Sequence, residues 1–525
     1  MKDKDKDKKK KYLLAIDNGT QSVRAIIFDL NGQVVAKNKV DIEPYFSEQP
    51  GWAEQQPDYY WQMLCQACQG LWPKLTFDKS QIKAVALTTQ RATMINLDKQ
   101  GNALRPAIVW LDQREQSKLD NMSFGWEFLL TLAGEKQTVK YFRSQAEANW
   151  IAFNQPEVWK QTHKYLLLSG FHTFKLTGNF SDSVSSQVGY LPFDFKRQNW
   201  CKPNDWQWQA MPIKIEMLPE LVPCGSELGK ITEQAASETG IPIGLPLISA
   251  GADKACEVLG SGCTNPEVGS LSYGTTATFN TTNAKYVEAI HRIPAYPAAM
   301  PNTYNTEMIV QRGYWMVSWF KREFGLREQQ LADERGIQTE LLFDDLLKQV
   351  PPGSMGLTLQ PYWNPGIRKP GPEAKGAMIG FGDVHTRAHI YRAIIEGLTY
   401  ALREGKELSE KKSGIKITKL KVSGGGSQSD EIMQITADIF GLTAERPHTF
   451  EASALGAAIN AAVGVGLFPN YQSAIDNMTH DGDKFEPNAD NQKIYDQLYH
   501  EVYQKMYGKL RPLYQSIRKI TGYPR

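Results

Sequence analysis

The sequence predicts an α/β protein built from two domains of related fold. The chain has 525 residues, which is too long for a single hydrophobic core. It opens with strand-like runs separated by a polar, glycine-bearing turn, and a comparable arrangement recurs at residues 269–280. Helical patterns alternate with short strands after each of these segments, which indicates mixed sheets covered by helices. We therefore expect a domain boundary near residues 250–265.

Residues 12–40 carry the clearest local pattern. An apolar run at 13–16 leads into a turn at 17–21, a second strand-like run follows at 23–28, and Asn31-Gly32 precedes a third. An Asn-Gly pair between alternating runs is a strong hairpin signal, because both turn positions need positive φ. The chain is thus predicted to begin with an antiparallel meander.

The later elements repeat this organisation. Residues 269–280 place Gly274-Thr275-Thr276 between two strand-like runs. The apolar stretch 452–468 falls short of the roughly 20 residues that a membrane span needs, so it indicates a buried helix. Helical periodicity is found at 58–71, 387–408 and 430–440, and a long amphipathic helix is predicted at 491–520.

Charge and cysteine content argue against several functional classes. The formal net charge is +2, but residues 1–11 hold seven lysines and three aspartates, a net charge of +4, which leaves the rest at −2. The near-neutral remainder of the chain lacks the net positive charge that is typical of nucleic-acid-binding proteins. The Lys/Asp run is typical of a solvated, disordered tail. Six cysteines are too few for a disulfide framework, and no secretory leader is evident. We expect a cytoplasmic enzyme that binds neither nucleic acid nor membrane.

The turn Asp17-Asn18-Gly19-Thr20-Gln21-Ser22 has the chemistry of a phosphate-binding turn. Gly19 lets the backbone approach a ligand closely, and Thr20 and Ser22 offer hydroxyl and amide donors to phosphate oxygens. The carboxylate of Asp17 is a hard oxygen ligand that suits Mg²⁺, directly or through water. Taken alone, the same residues also suit an ordinary tight turn, and the pattern does not decide between the two.

Two more turns have related chemistry. Gly274-Thr275-Thr276 is one, and Gly424-Gly425-Gly426-Ser427 is the other, placed between a strand-like run and a helical one. A glycine-rich turn that leads into a helix N-terminus points backbone amides at an anion such as a nucleotide phosphate. The sequence has neither the P-loop pattern nor the dinucleotide fingerprint, so a nucleotide must be held in another way.

Asp253 follows the apolar run 245–250 and starts a helical segment. This position places its carboxylate at the carboxyl end of a predicted strand, where it can accept a proton from an attacking hydroxyl. The same residue type at the same position can also cap the helix. Local pattern leaves the two readings open.

The motifs, taken together and in order, resemble those of the FGGY carbohydrate kinases. The likeness covers nearly the whole chain from Tyr12 to about Phe468 and implies two ribonuclease-H-like domains of the actin and hexokinase type with a central ATP and substrate cleft. It implies an N-terminal domain at 12–255 and a C-terminal domain at 256–525, behind the tail at 1–11. The matching segments are Asp17–Thr20, Trp110–Arg114, Gly251–Asp253, Tyr273–Thr276, Gly376–Gly380, His389–Glu396 and Ser423–Ser427.

The resemblance also implies a role for each candidate residue. Asp253 would be the general base and Asp17 the partner of the Mg²⁺ that accompanies ATP, the two meeting across one cleft from opposite lobes. The residues implied to contact ATP are Thr20, Gln21, Ser22, Arg24, Gly274, Thr275, Gly313, Gly424, Gly425 and Ser429. The residues implied to contact a sugar or polyol are Arg91, Trp110, Tyr141, Asp253 and Lys254.

Departures from the pattern narrow the expected substrate. Glycerol kinases carry Glu and Gln where this chain has Ala92 and Lys254, so two hydrogen-bond partners of glycerol are missing. Glu147 also stands where the family pattern has Lys. We expect a ketopentose, a four- or five-carbon polyol, or the quorum-signal sugar of the autoinducer-2 kinases, which residues 350–356 also resemble.

Two other functions share this fold. One is a catalytically weak nucleotide-binding regulator, which the presence of both Asp17 and Asp253 argues against. The other is an actin-like ATPase, a class that lacks the segment Trp110–Arg114. A homodimer is an arrangement that the sequence leaves open.

Overall fold

The chain forms two compact units. The computed structural model describes residues 10–364, 366 and 370–523, so residues 1–9 of the predicted Lys/Asp tail lie outside the described residues. The first unit contains the described residues up to Gly260 together with Tyr296–Tyr304 and Glu451–Thr479. The second unit contains Ser261–Ala295, Asn305–Phe450 and the described residues from His480 onward.

The units differ from the continuous halves 12–255 and 256–525 that the sequence led us to expect. The Ala-rich helix Ala452–Gly464 packs against helix Asp253–Gly260 and so belongs to the first unit. Gly260 and Gly456 make this packing close, since a Cβ on either would collide with backbone atoms of the other helix. A contact between residues some 200 positions apart has no local sequence signal.

The strands of both units are numbered in chain order. They are β1 (Tyr12–Asn18), β2 (Ser22–Phe28), β3 (Val34–Asp41), β4 (Glu54–Gln55), β5 (Ile82–Thr89), β6 (Met94–Leu97), β7 (Ala107–Ile108), β8 (Lys164–Leu167), β9 (Ser181–Ser183), β10 (Phe193–Asp194), β11 (Asn199–Trp200), β12 (Glu220–Val222), β13 (Glu227–Lys230), β14 (Pro246–Ile248), β15 (Val268–Tyr273), β16 (Ala277–Asn283), β17 (Tyr296–Pro297), β18 (Tyr304–Val310), β19 (Thr358–Gln360), β20 (Ala377–Ile379), β21 (Lys419–Ser423), β22 (Thr443–Pro447) and β23 (Asp481–Phe485).

The helices alternate with these strands. The α-helices are Pro57–Gln69, Phe124–Leu132, Lys136–Gln145, Glu147–Asn154, Pro156–Gln161, Leu168–Thr177, Gln207–Ala210, Glu233–Thr239, Asp253–Gly260, Trp315–Phe324, Leu326–Arg335, Glu340–Lys348, Arg387–Ser413, Asp430–Phe440, Ala452–Gly464, Tyr471–Met478, Ala489–Gln497 and Gln504–Thr521. Leu498–Tyr503 is a π-helical stretch that joins the last two. Short 3₁₀ turns lie at Trp72–Lys74, Lys79–Gln81, Val184–Ser186, Ile215–Met217, Ser354–Gly356 and Gly425–Gln428.

The main sheet of the first unit has the strand order β13-β14-β5-β1-β2-β3. Strands β1, β2 and β3 form the predicted antiparallel meander. Strands β5 and β14 run parallel to β1 and bring their carboxyl ends to the same edge. A smaller sheet in the same unit has the order β4-β7-β6-β8.

Both faces of this main sheet are covered, which explains why β1 is buried along its whole length. Alternate residues point to opposite faces of a strand. Leu14 and Ile16 pack with helix Pro57–Gln69 on one face, and Leu13 and Ala15 pack with helix Ala452–Gly464 on the other. Such a strand shows no polar alternation in its sequence, as expected for a strand between two helical layers.

Strands of the second unit repeat the topology of the first. They lie in the order β18-β16-β15-β21-β22-β23, with β15 antiparallel to β16 and parallel to β21. The run β3-β2-β1-β5 of the first sheet corresponds to β18-β16-β15-β21 of the second, and a further parallel strand, β14 or β22, follows in each. The α/β class and the two related domains predicted from the sequence are confirmed.

A large aromatic and aliphatic core supports the second unit. Helix Arg387–Ser413 runs through it, and Tyr495, Tyr499 and Tyr503 of the C-terminal helical segment are buried in it. The predicted C-terminal helix that packs on the body is thereby confirmed. Among the described residues, no helix combines the length and the apolar character needed to cross a membrane.

Candidate active site

In the first unit, three neighbouring parallel strands end at one sheet edge and present the candidate residues there. Asp17 lies opposite Thr88 near the ends of β1 and β5, and Ile248 of β14 lies opposite Ala86 of β5. Arg91 follows β5 and Asp253 follows β14. The sheet order thus gathers Asp17, Arg91 and Asp253, which are far apart in the sequence, as the strand-end argument predicts.

The carboxylate of Asp17 is buried and held by one arginine. Arg24, its antiparallel partner on β2, places Nη1 3.2 Å from Asp17 Oδ2. Burial raises the pKa of Asp17 to about 7, and the charge of Arg24 opposes this rise without cancelling it. The charge of Asp253 adds to this rise. Thr88, which lies opposite Asp17, donates from its hydroxyl to the carbonyl of Gly251 at 2.9 Å, two residues before Asp253.

The position of the two acids corrects one expectation. We expected Asp17 and Asp253 to come from opposite lobes, but both belong to the first unit. The reason is that β1, β5 and β14 belong to one sheet, whose edge supplies both carboxylates.

Two further carboxylates surround Asp17. Glu451 Oε2 lies 3.5 Å from Arg24 Nη1, and Glu257 lies one helical turn after Asp253. Both raise the pKa of Asp17. A buried excess of negative charge of this kind is relieved by a cation, so the donor set fits a magnesium ion held by one or two carboxylates together with phosphate oxygens. Among the described residues, no three acidic, histidine or cysteine side chains are grouped closely enough to hold a metal ion by themselves.

The predicted phosphate turn is a tight hairpin that joins β1 to β2. The amide of Gly19 donates to the carbonyl of Ser22 at 3.1 Å, which leaves Thr20 and Gln21 at the tip. Gln21 is exposed and Thr20 half-buried, whereas Ser22 is buried. Trp110 Nε1 donates to the Thr20 hydroxyl at 3.0 Å, so that hydroxyl keeps its own proton for another acceptor.

Asp253 is flanked by two cations. Arg91 Nε lies 3.9 Å from Asp253 Oδ1, and the ammonium of Lys254 lies 2.6 Å from Glu257 Oε2. Burial raises the pKa of Asp253, while Arg91 and then Lys254 oppose the rise. Burial also acts to lower the pKa of Lys254, but the carboxylates of Glu257 and Asp253 outweigh it and the pKa is raised. Asp253 Oδ1 also accepts a hydrogen bond from the amide of the next residue, Lys254, at 2.7 Å, whereas a capping side chain bonds the second or third amide of the helix.

Ala92 adopts an unusual backbone conformation next to Arg91. Its φ is +48°, in the left-handed region that non-glycine residues rarely occupy. The amide of Ala92 donates to the carbonyl of Val188 at 3.1 Å, which helps to hold the strained residue. Strain of this type is found at functional sites, where the surrounding structure fixes the backbone.

An aromatic group extends from Arg91 towards Tyr141. The guanidinium of Arg91 lies over the ring of Tyr296, 5.6 Å from its centroid. Burial raises the pKa of Tyr190, and Tyr141 and Tyr296 raise it further. The ring of Tyr190 also packs edge-on against Phe142, the residue after Tyr141, with centroids 5.1 Å apart. The ring of Tyr141 itself is 42% exposed, which leaves it accessible to a ligand.

The segment Trp110–Arg114 is anchored by a buried ion cluster. Arg114 donates from Nε and Nη2 to the carboxylate of Asp112, both at 2.7 Å, and its Nη1 lies 2.9 Å from Glu54 Oε1. Arg105 also pairs with Glu54, and Asp112 accepts a hydrogen bond from the amide of Ala53 at 2.6 Å. Arg114 therefore holds the segment that carries Trp110.

In the second unit, two predicted nucleotide turns lie side by side. Ser272 near the end of β15 is opposite Ser423 of β21, so the turns at Gly274 and Gly424 emerge from neighbouring parallel strands. The carbonyl of Gly274 accepts from the amide of Tyr314 at 3.0 Å, and that of Thr275 from Trp315 at 3.2 Å. These bonds tie the first turn to the start of helix Trp315–Phe324.

The glycines of this region differ in whether the surrounding structure leaves room for a side chain. Gly424 has φ of +84°, and a Cβ there would lie 2.7 Å from the backbone of Tyr273. A Cβ on Gly313 would collide with the backbone of Ala277, whereas one on Gly425 would meet nothing within 4 Å. Gly424 and Gly313 are thus required by the fold, and Gly425 borders open space.

Ser429 is the N-cap residue of the helix that follows. Its hydroxyl accepts from the amide of Ile432 at 3.1 Å, which caps helix Asp430–Phe440, and donates to Asp344 Oδ1 at 2.5 Å. One acceptor site of this hydroxyl remains for a ligand. Its contact with a nucleotide stays a prediction, as do those of the other residues implied by the resemblance.

Several site residues were missed by sequence reasoning. Glu257 could have been found, because it lies four positions after Asp253 on a predicted helix and therefore on the same face. Glu451, Tyr190 and Tyr296 carry no local signal and reach the site only through the packing of distant segments.

Comparison with known proteins agrees with this architecture. Residues 12–260 match the model of the N-terminal domain of the FGGY family of carbohydrate kinases, and residues 269–465 match that of its C-terminal domain. The chain is 31% identical over 510 residues to the uncharacterized sugar kinase YgcE of Escherichia coli, covering 95% of this chain and 93% of that protein. It is 28% identical to a xylulose kinase of Lactococcus lactis, with 94% and 96% covered. The crystal structure of gluconate kinase from Lactobacillus acidophilus superposes with a TM-score of 0.81 at 21% identity, with 97% and 99% of the two chains covered.

Proposed function

Because the chain belongs to the FGGY family of carbohydrate kinases, we propose that it transfers the γ-phosphoryl group of ATP to a hydroxyl of a small sugar or polyol. The observation that carries this proposal is the meeting of Asp17, Arg91 and Asp253 at one sheet edge, beside the turn Gly19–Ser22. One carboxylate suits the metal that accompanies ATP, and the other suits the removal of a proton from the acceptor.

Asp253 acts as the general base in this proposal. The acceptor hydroxyl donates its hydrogen bond to the carboxylate, its oxygen forms the new bond to the γ-phosphorus, its proton passes to Asp253, and ADP leaves. Asp253 Oδ1 accepts a hydrogen bond from the amide of Lys254, and each carboxylate oxygen has two acceptor sites, so the carboxylate keeps acceptor capacity for the substrate hydroxyl. The raised pKa of Asp253 makes it a better proton acceptor near neutral pH than an exposed aspartate.

In this proposal, ATP binds at the phosphate turn of the first unit. Thr20 keeps a hydroxyl proton for a phosphate oxygen, and the amide of the exposed residue Gln21 adds a donor. Magnesium bound with ATP would neutralise phosphate charge, and Asp17 would hold it directly or through water. Gly425, which borders open space, lets the backbone approach the nucleotide closely.

The acceptor is a ketopentose, tetritol or pentitol. Ala92 and Lys254 stand where glycerol kinases place hydrogen-bonding Glu and Gln, so glycerol lacks two partners here. Lys254, paired with Glu257, offers ammonium protons to a neighbouring substrate oxygen. The likeness to a xylulose kinase over nearly the whole chain favours a ketopentose.

The six cysteines are free and buried, which suits a protein of the reducing cytoplasm.

A substrate panel tests the proposal. The protein is incubated with Mg-ATP and one ketopentose, tetritol, pentitol or sugar acid at a time, and ADP release is measured together with formation of the phosphorylated product. We expect little ADP without acceptor and rapid release with one of the neutral acceptors. ADP release at the same rate with and without every acceptor would instead indicate an actin-like ATPase, and no release at all a nucleotide-binding regulator.

The Asp253→Asn variant tests the base. It should lose at least about 99% of transfer activity, because a general base contributes roughly 10² to 10⁴ in rate. Its ATP affinity should stay within about twofold of wild type, because the substituted atom accepts the acceptor's proton and does not bind phosphate. More than about a tenth of wild-type activity in this variant would refute the assignment.

A further inference from the structure

His172 lies behind the phosphate turn in a fully buried position. It belongs to helix Leu168–Thr177, which packs on the main sheet of the first unit. Its Nε2 lies 2.9 Å from Asn18 Oδ1, and Asn18 is the last residue of β1, directly before Gly19. Neither side chain is exposed to solvent. The pair is therefore a buried polar contact immediately behind the turn.

The direction of this hydrogen bond follows from the groups around it. Asn18 Nδ2 donates to the carbonyl of Gly19 at 3.1 Å, so Oδ1 is the atom that faces the histidine ring. An amide oxygen can only accept, which makes Nε2 the protonated nitrogen of His172. Burial lowers the pKa of His172 to about 3, so the ring is neutral and Nδ1 carries no proton.

The other ring nitrogen shows that this histidine is costly for the fold. His172 Nδ1 is buried and has no hydrogen-bond partner among the described residues. A buried acceptor without a partner lowers stability, and an apolar side chain would avoid that loss. The ring also packs near Trp61, with ring centroids 6.3 Å apart, but an apolar ring could make that contact, so the bond to Asn18 is the polar interaction that the histidine adds.

That bond acts on the backbone of the turn through Asn18. The side chain of Asn18 holds the carbonyl of Gly19, and the amide of Gly19 is held by the carbonyl of Ser22. The carbonyl of Asn18 also accepts from the amide of Gln90, one residue before Arg91, at 2.9 Å. Both peptide groups that enter the turn are thus fixed, which sets the direction of the amides at its tip.

We propose that His172 is a positioning residue, which fixes Asn18 and through it the turn Gly19–Ser22 in the conformation that binds the phosphates of ATP. The inference rests on the proposed function, since it needs ATP at this turn. Pre-organised donors bind an anion more tightly than donors that must first be ordered, because ordering costs conformational entropy.

The test compares four variants by ATP binding and by steady-state kinetics. His172→Leu removes the donor. Asn18→Leu removes the amide that links His172 to Gly19 while keeping a branched side chain, and the double variant removes both groups. His172→Gln keeps a side-chain N–H and serves as the conservative rescue. His163→Leu, an exposed histidine just before the same helix, is the matched control. ATP affinity is measured by calorimetry without sugar, and melting temperature is recorded for each protein.

We expect His172→Leu and Asn18→Leu each to weaken ATP binding by about fivefold or more and to raise KM for ATP, with KM for the sugar within about twofold of wild type. The double variant should bind ATP no less tightly than the single variant with the lower affinity, because both changes break the same chain of hydrogen bonds from His172 through Asn18 to Gly19. His172→Gln should recover most of the affinity, and His163→Leu should match wild type.

Unchanged ATP affinity in both single variants, or additive losses in the double variant, would overturn the inference while leaving the kinase proposal intact. A wild-type chain that binds no ATP would overturn both. If His172→Leu does not fold, Asn18→Leu and His172→Gln decide the question by the same readings.

Discussion

The indole nitrogen of Trp110 donates a hydrogen bond to the hydroxyl of Thr20 at 3.0 Å. The family resemblance implies different ligands for these residues, the sugar for Trp110 and the phosphates of ATP for Thr20. In the structure one bond joins them, and both belong to the first unit. The residue proposed to contact the sugar and the turn proposed to bind phosphate are therefore joined by a direct hydrogen bond.

Replacing Trp110 by Phe should impair ATP use more than sugar binding. The change removes the indole donor and leaves the Thr20 hydroxyl free to rotate, while an aromatic ring remains for the sugar. A neutral hydrogen bond contributes about 0.5–1.5 kcal/mol, which corresponds to a two- to tenfold rise in KM for ATP. Steady-state kinetics with each substrate varied in turn measures both effects.

The control for this variant is Trp200→Phe. Trp200 Nε1 donates to the carbonyl of Pro219 at 3.1 Å, away from Thr20, so its loss should leave both KM values unchanged. A Trp110→Phe enzyme with wild-type KM for ATP would show that the bond to Thr20 has no part in nucleotide binding.

Neighbouring glycines of the second unit should respond in opposite ways to alanine. Gly425→Ala adds a methyl group into open space, so the melting temperature should change by no more than about 2 °C, whereas ATP affinity should fall by about tenfold or more. Gly424→Ala places a Cβ 2.7 Å from the backbone of Tyr273 at a φ of +84°, and should lower the free energy of unfolding by about 2 kcal/mol or more.

Thermal unfolding and ATP calorimetry of the two alanine variants separate these outcomes. Unchanged ATP affinity in a folded Gly425→Ala protein would argue that the nucleotide does not approach this turn. A Gly424→Ala protein as stable as wild type would show that the backbone at this position can relax.

Much of the fold could be predicted because its signals are local. The meander β1–β3 has runs of apolar residues broken by Asn31-Gly32, and the strand ends that carry Asp17 and Asp253 follow directly from apolar runs into polar turns. Strand order then brings the two acids together, since parallel strands end at one edge. The resemblance to a family supplied the roles that the local patterns left undecided.

The rest depends on contacts between distant segments. Glu451 reaches the site because helix Ala452–Gly464 packs closely on helix Asp253–Gly260, with a glycine of each helix against the backbone of the other. No local pattern near residue 451 predicts this packing. Each of the two units is likewise built from three separate segments of the chain, which are brought together by such contacts. Asn18 and His172 also form a hydrogen bond across 154 positions, and the local sequence around either residue does not predict that contact.

The buried cluster around Glu54 should be essential to stability. Glu54→Gln removes the carboxylate that pairs with both Arg105 and Arg114, so Arg114 keeps its pair with Asp112 whereas Arg105 loses its ion pair with Glu54. Removing one partner of a buried ion pair typically lowers the free energy of unfolding by about 3–5 kcal/mol. Denaturant unfolding measures this loss, and Trp110, which lies on the same segment, should become more mobile.

An exposed pair provides the comparison. Glu127 and Lys136 lie 3.5 Å apart at the surface, so Glu127→Gln should change the free energy of unfolding by less than about 0.5 kcal/mol. Equal effects of the two substitutions would contradict the view that the Glu54 cluster is a structural anchor for the segment Trp110–Arg114.

Glu147 should make the stability of the protein fall as pH rises from about 4.5 to about 7. Its Oε2 is buried without a hydrogen-bond partner among the described residues, and burial raises its pKa to about 7, with Asp112 adding to the rise and Arg114 opposing it. The folded state therefore binds the proton more tightly than the unfolded state, whose carboxyl has the ordinary pKa of 4.5. By linkage, the stabilisation from this group is complete below about pH 4.5 and is lost as the pH passes through about 7.

The Glu147→Gln variant keeps the shape of the side chain and cannot ionise. Relative to wild type, its free energy of unfolding should be higher by about 1–3 kcal/mol at pH 8 and nearly equal at pH 4.5. Asp17 and Asp182, whose pKa values are also raised to about 7, titrate in both proteins, so the difference between the two pH profiles isolates Glu147. Glu157→Gln, a change at an exposed carboxylate on the following helix, should leave the profile unchanged. Parallel profiles for wild type and Glu147→Gln would mean that this carboxyl is solvated in the folded protein.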